Sequence, residues 1–237
     1  MIRLLILNAL VSKQFECCEV QQAYIWWIVG GFLGYFAILF GICFVLDSIP
    51  TKNTKSIVIL GSVASGKTTL WRQLRDETPQ NIHVSTSEEL IEEFDITVGE
   101  KTVTINSTKD IGGGDQWVSY YEELIQDGTF VYFLVDLTRF KETKDEIRAR
   151  IKKISTIISE KKYTNCGLQI VATHYDEFFS KTNSSKNNAA SYVKQKLNIR
   201  SINNFKVHID DKILVANLLE KSDVEIIKKA ILDIFNG

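Results

Sequence analysis

The chain has 237 residues, room for one domain or one domain with an appendage at roughly 100–200 residues per domain. Hydrophobic residues make up 45% and charged residues 24%, which excludes disorder as a description of the whole chain, and 2 Pro exclude a Pro-rich linker architecture. Lys+Arg 28 against Asp+Glu 29 leaves a net charge of −1 and no bulk electrostatic reason to seek nucleic acid.

Cys17, Cys18, Cys43 and Cys166 form neither a C-x-x-C pair nor a disulfide framework, which fits a reducing compartment. Residues 1–22 form an N-terminal segment whose first stretch, MIRLLILNALVS, is apolar but too short to cross a bilayer. From Ala23 to Leu46 no charge occurs. As a helix rising about 1.5 Å per residue this run would be roughly 36 Å long, enough to cross a hydrocarbon core of about 30 Å. Tyr24, Trp26 and Trp27 stand at one end, where aromatic rings favour the headgroup layer, and Asp47 and Pro50 end the run. The run is too long for a signal peptide and lacks its cleavage site, so a retained transmembrane helix is predicted over 23–46. Arg3 and Lys13 before it nearly balance Lys52 and Lys55 after it, so loop charges leave the orientation open. Gly30-x-x-x-Gly34 would permit close helix approach, although Gly is common in membrane helices anyway; Cys17-Cys18 are weak acylation candidates.

A polar linker, 47–55, leads into a body spanning 56–237 in which strand and helix patterns alternate. Ser56–Leu60 is a β-branched apolar run, so a buried strand is predicted, followed by a helix over Thr68–Arg75. Glu93–Val98 and Lys101–Asn106 alternate around Gly99 and predict a hairpin. A short helix over Trp117–Gln126 precedes the apolar strand Phe130–Leu137. Ile147, Ile151, Ile154 and Ile158 mark one face of a helix over Lys144–Lys162. A strand over Leu168–Thr173, an exposed loop over Ser180–Asn188, a helix over Ala189–Leu197, a strand over Lys212–Leu219 and a helix over Val224–Phe235 complete the body. Such alternation predicts an α/β sandwich of three layers with a mostly parallel sheet and right-handed crossovers.

The sequence Gly61-Ser62-Val63-Ala64-Ser65-Gly66-Lys67-Thr68 matches G-x-x-x-x-G-K-[ST], between a predicted strand and a predicted helix. Glycines let consecutive backbone N–H groups curl into an anion nest, and the helix N-terminus, running on through Thr69, adds its positive end. In this motif the Lys67 position reaches the β- and γ-phosphates and the Thr68 hydroxyl ligates Mg²⁺. A nucleotide cofactor with Mg²⁺ is therefore predicted.

Asp110-Ile111-Gly112-Gly113 then stands where Ras-like GTPases carry D-x-x-G, and the chain resembles that superfamily over about 54–237. The resemblance implies that Asp110 supports Mg²⁺ through water and that the Gly113 amide meets the γ-phosphate. Thr173-His174-Tyr175-Asp176 is similar to the family's [NT]-K-x-D guanine-reading motif, with His174 in place of Lys. The resemblance places Asp176 on guanine N1 and N2, and Val215-Ala216-Asn217 looks like a degenerate S-A-[KL] whose Ala216 amide would touch the guanine carbonyl. It also implies a Mg²⁺-binding Thr before the hairpin; Thr78 and Thr86 are available, and Thr86 lies nearer the second strand. The family's water-orienting Gln follows D-x-x-G directly, but here Gly114 does, with Gln116 two positions late as the substitute catalytic candidate.

Within the superfamily, Arf-like proteins and the membrane-anchored β-subunit of the signal-recognition-particle receptor share this layout. With the uncharged run 23–46 as anchor, the reading is a single-pass membrane-anchored GTPase whose domain is cytosolic, where GTP and Mg²⁺ are abundant, on the endoplasmic reticulum in a eukaryote. It would bind GTP or GDP with Mg²⁺ and a protein effector or α-type receptor subunit, and hydrolyse slowly because Gly114 stands where the orienting Gln would be. A binding-only pseudo-GTPase receptor subunit and an ATP-using P-loop enzyme remain as alternatives.

Overall fold

The first strand, β1 (Ser56–Gly61), is buried on both faces, as a run of Ile, Val and Leu requires. In the computed structural model, residues 54–78, 87–198, 208–209 and 212–236 are described, all within the unit Asn53–Gly237. Helix α1 (Lys67–Leu74) follows β1, and four short strands come next: β2 (Glu88–Ile91), β3 (Phe94–Val98), β4 (Lys101–Ile105) and β5 (Thr108–Ile111). A 3₁₀ turn over Asp115–Tyr120 runs into the one-turn helix α2 (Tyr121–Leu124). Then come β6 (Thr129–Asp136), α3 (Phe140–Glu160), β7 (Gly167–Thr173), α4 (Tyr175–Thr182), α5 (Lys186–Leu197), β8 (His208–Ile209), β9 (Leu214–Val215) and α6 (Lys221–Asn236).

Strands β1, β6, β7 and β8 form a parallel sheet in that order, and β9 also pairs with β7 in parallel. Alternate residues of β6 face opposite ways, and two apolar cores result. Val131, Phe133 and Val135 meet Ile147, Ile151, Ile154 and Val193 of α3 and α5 on one face. Tyr132 and Leu134 meet Leu70, Trp71, Leu74, Ile227 and Ile231 of α1 and α6 on the other. This is the expected three-layer α/β sandwich.

The pairs Glu88↔Ile111 and Phe94↔Ile105 share one register, so β2–β3 and β4–β5 are two arms of one hairpin interrupted near Glu92 and Asn106. The hairpin is longer than its alternating stretch indicated, and Asp110 lies within β5 rather than after it. Lys55 bridges Ile105 in parallel, and the Asn106 side-chain amide donates to Ser56 Oγ (3.0 Å), which places the hairpin beside the start of β1.

Three expected elements are corrected. The loop over Ser180–Asn188 shrinks to 183–185, because Asn183 takes the left-handed conformation that ends α4 and Ser185 caps α5 by accepting from the Asn188 N–H. The helix over Trp117–Gln126 is a 3₁₀ turn that becomes α-helical only at Tyr121, the first of its residues to be buried. The strand over Lys212–Leu219 is limited to Leu214–Val215. Among the described residues no helix is long and apolar enough to cross a membrane; the predicted span over 23–46, Gly30, Gly34, Cys17 and Cys18 lie outside the described residues.

Candidate functional site

At the end of β1 the chain turns through Ser62–Gly66 and enters α1 with the Ser65 N–H donating to the Ser62 carbonyl (3.3 Å). Gly66 precedes the helix at φ 90°, where a Cβ would meet Leu218 Cδ1 at 2.7 Å, so glycine is required by both conformation and space. No side chain caps α1 and no acidic residue occupies its first turn, so its first N–H groups retain their positive field. Val63 and Ala64 are exposed at the tip, and Thr69 is half-buried in the helix. The Ser62 and Ser65 hydroxyls are buried without a hydrogen-bond partner. Lys67 is buried, and its Nζ donates to the carbonyls of Ser62 (3.0 Å) and Gly61 (3.4 Å). Burial pushes its pKa down to about 8, opposed by the Asp110 carboxylate and reinforced by Arg150.

The hairpin delivers Asp110 to the same place. Asp110 is completely buried; Thr68 Oγ1 donates to its Oδ2 (2.5 Å), while Oδ1 has no hydrogen-bond partner. Burial raises the Asp110 pKa, against the lowering effects of the Thr68 hydroxyl and Lys67. Gly113 lies so close to the phosphate-loop turn that a Cβ there would stand 2.4 Å from the Ser62 carbonyl and the Val63 nitrogen. The two motifs, 42 or more residues apart in sequence, are thus packed backbone to backbone. Gln116 is exposed in the 3₁₀ turn. Thr78 is exposed just after α1, where Glu77 N–H closes the helix on Arg72, and Thr86 lies outside the described residues.

At the end of β7, buried Thr173 donates its hydroxyl to the Ser65 carbonyl (3.0 Å), joining the third motif to the phosphate loop. His174 takes the left-handed conformation at φ 55° and turns the chain into α4, with its Nδ1 3.5 Å from Asp136 Oδ1. Asp176 stands exposed in the first turn of α4. The Ala216 amide, foreseen on a guanine carbonyl, instead donates to the Ala172 carbonyl (2.9 Å) as the sheet pairing of β9 continues. That correction follows from β9 being in register with β7, which leaves this N–H inside the ladder.

Sequence reasoning missed Arg150. It is only 4% exposed in α3, and its guanidinium donates to the carbonyls of Gly61 and Gly113 and to the carboxylates of Asp115 and Glu146. A signal existed: Arg150 falls three residues after Ile147 and four before Ile154, on the apolar stripe itself.

Residues 35–223 match the ADP-ribosylation factor family, Arf. The chain belongs to the Arf family of small GTPases. A stretch of 128 residues is 26% identical to ADP-ribosylation factor-like protein 15 of Pongo abelii and of Homo sapiens, covering 54% of this chain and 58% of each relative. The match therefore spans little more than half of those relatives. Among solved structures, the fold resembles the Arl6 BBS3 small GTPase from Trypanosoma brucei, which carries the nucleotide analogue GppNp, with TM-score 0.55, 16% identity and coverage of 76% of this chain and 96% of that one. It also resembles Methanosarcina barkeri Roco2 RocCORdC bound to GDP, with TM-score 0.52, 12% identity and coverage of 78% and 50%.

Arf-family membership implies a guanine nucleotide and, as a rule, Mg²⁺. The residues fit the metal. Among the described residues no group of three or more His, Cys, Asp or Glu gathers to cage a metal. Mg²⁺ in nucleotide sites, however, uses one or two protein oxygens with phosphates and water. The unpartnered Asp110 Oδ1 and the Thr68 hydroxyl beside it are such a donor set.

Proposed function

We propose that this Arf-family chain is a membrane-anchored guanine-nucleotide switch or receptor subunit that hydrolyses GTP slowly. The observation that carries the reading is the contact between the two phosphate motifs: Thr68 bonded to Asp110, and Gly113 resting on Ser62–Val63. In this reading the N–H groups of the turn Gly61–Gly66, continued by Lys67, Thr68 and Thr69, receive the phosphates, with Lys67 on the β- and γ-phosphates. Thr68, Asp110 and Thr86 are the residues that would hold Mg²⁺, which would supply charge neutralisation on the phosphate oxygens. The Gly113 amide orients the γ-phosphate, Thr173 fixes the base loop to the phosphate loop, and Asp176 accepts from the guanine edge.

Residues 23–46 provide the anchor, and the domain 56–237 faces the cytosol, where GTP and Mg²⁺ are abundant; in a eukaryote the endoplasmic reticulum is the membrane proposed. The uncharged run, flanked by aromatic residues on one side and Asp47 on the other, supports the anchor. The partner is a protein effector or an α-type receptor subunit. A second reading, nucleotide binding without turnover, is favoured by Gly114, which offers no side chain to orient water.

The test is to purify the full chain in detergent, identify the nucleotide that co-purifies, and compete it with GTP and ATP. Guanine nucleotide displaced by GTP and not by ATP is expected. Displacement by ATP would replace the guanine reading with that of an ATP-using P-loop enzyme.

A further inference from the structure

We propose that Arg150 is the latch between the two phosphate motifs, a positioning residue that holds Gly113 against the phosphate loop and so gives the site its preference for a triphosphate. The inference rests on the nucleotide reading above and extends it to a residue outside every motif. A guanidinium on the apolar stripe of α3 carries a desolvation penalty that an aliphatic side chain would avoid. What compensates it is specific. One nitrogen, Nη1, donates both to the Gly113 carbonyl (2.7 Å) and to the Gly61 carbonyl (3.3 Å). The other, Nη2, donates to Asp115 Oδ1 (2.8 Å) and Glu146 Oε1 (2.8 Å). Glu146 is one helical turn earlier and aims the guanidinium; Asp115, otherwise 90% exposed, ties in the start of the 3₁₀ turn.

Arg150 therefore joins three segments that are distant in sequence: the end of β1, the D-x-x-G loop and α3. A lysine has a single nitrogen and could not serve both ends of this fork. The latch borders a cavity of about 160 Å³ that Val63, Gly114, Arg139 and Thr143 also line, so the loop it restrains has space to move if released.

A diphosphate leaves the γ position empty and gains nothing from Gly113. A triphosphate needs the Gly113 backbone beside Ser62–Val63, where the latch already keeps it. Ordering that loop in advance raises triphosphate affinity by the fraction of molecules it keeps competent.

The experiment uses the full chain in detergent, as wild type, Arg150→Met and Arg150→Lys. Affinities for GDP and for a non-hydrolysable GTP analogue are measured by displacement of a fluorescent guanine nucleotide, and hydrogen exchange of residues 111–116 is followed without nucleotide. Arg150→Met should weaken the triphosphate analogue roughly tenfold or more, the weight of a charge-assisted hydrogen bond, and GDP less than twofold. Exchange over 111–116 should quicken, and Arg150→Lys should restore only part of either property. Equal losses for both nucleotides, or an unchanged ratio, would overturn the latch. If wild type binds no guanine nucleotide, the site reading fails by itself, and unaltered exchange in Arg150→Met would then dispose of the latch separately. Should Arg150→Met not fold, Asp115→Asn with Glu146→Gln loosens the seat while keeping the guanidinium. A shift of the same sign is expected there, and none would count against the proposal.

Discussion

The Gln116 carboxamide occupies the space that a side chain on Gly114 would need: a Cβ built on Gly114 would stand 2.4 Å from Gln116 Oε1. The 3₁₀ turn that begins at Asp115 folds Gln116 back over the residue directly following D-x-x-G. Gly114 has no side chain to obstruct this approach, so the Gln two positions late packs against the residue that directly follows D-x-x-G. Positioning carries most of phosphoryl-transfer catalysis, and unaided GTPases that carry the Gln turn over at about 10⁻⁴ per second. Single-turnover hydrolysis should fall at or below that order, and Gln116→Ala should lower it about tenfold with GTP affinity unchanged. A slow rate indifferent to Gln116 would remove that residue from catalysis, and no hydrolysis at all would leave only the binding reading.

The phosphate loop was legible because everything that defines it is contiguous: an apolar strand, a glycine-bounded turn and a helix start. The hairpin was legible only in its distal half. Glu88 and Glu89 are exposed and Thr108–Ile111 has no apolar run, so β2 and β5 exist by pairing with each other and not by local preference. Arg150 stayed hidden for a different reason. Two of its partners are backbone carbonyls at Gly61 and Gly113, and a carbonyl leaves no mark in a sequence. For Ala216, residue type suggested an available amide, and the register of β9 on β7 committed it to Ala172.

Asp176 is exposed in the first turn of α4, open to a ligand beside the loop that Thr173 fixes to Ser65. Asp176→Asn exchanges an acceptor-only carboxylate for an amide with a donor, which suits xanthine better than guanine. GTP affinity should fall ten- to a hundredfold, equivalent to about 1.5–3 kcal/mol, with xanthosine triphosphate binding gained. Displacement titrations with both nucleotides measure this, and unchanged GTP affinity would remove Asp176 from the site.

Attachment through residues 23–46 would be hydrophobic, and hydrophobic insertion is not screened by salt. The full chain should sediment with membranes after high-salt and carbonate washes, and the domain should be digested by protease added from the cytosolic side. Release by carbonate would mean that the run does not span.

Lys67 supplies a pH test with opposite signs for folding and for binding. Its folded pKa is about 8 against 10.5 unfolded, mainly because burial disfavours the charge. Between these values the unfolded chain holds a proton that the folded site has released. Stability of the nucleotide-free protein should therefore rise with pH across roughly 8 to 10.5, by an amount on the order of 3 kcal/mol at 1.36 kcal/mol per unit. Below pH 8 both states carry the proton and the slope disappears. Lys67→Met removes the titrating group, so its stability should lack this rise, and the comparison with wild type isolates Lys67 from the other groups that titrate at high pH. Binding runs the other way. Phosphates favour the ammonium, so above pH 8 nucleotide must bring a proton with it, and GTP affinity should decline as pH rises through about 8. Denaturant melts at pH 7, 8, 9 and 10, with nucleotide titrations on the same samples, measure both slopes. Parallel pH dependence of wild type and Lys67→Met, or GTP affinity flat from pH 7 to 10, would show that Lys67 does not sit unsolvated beneath the phosphates.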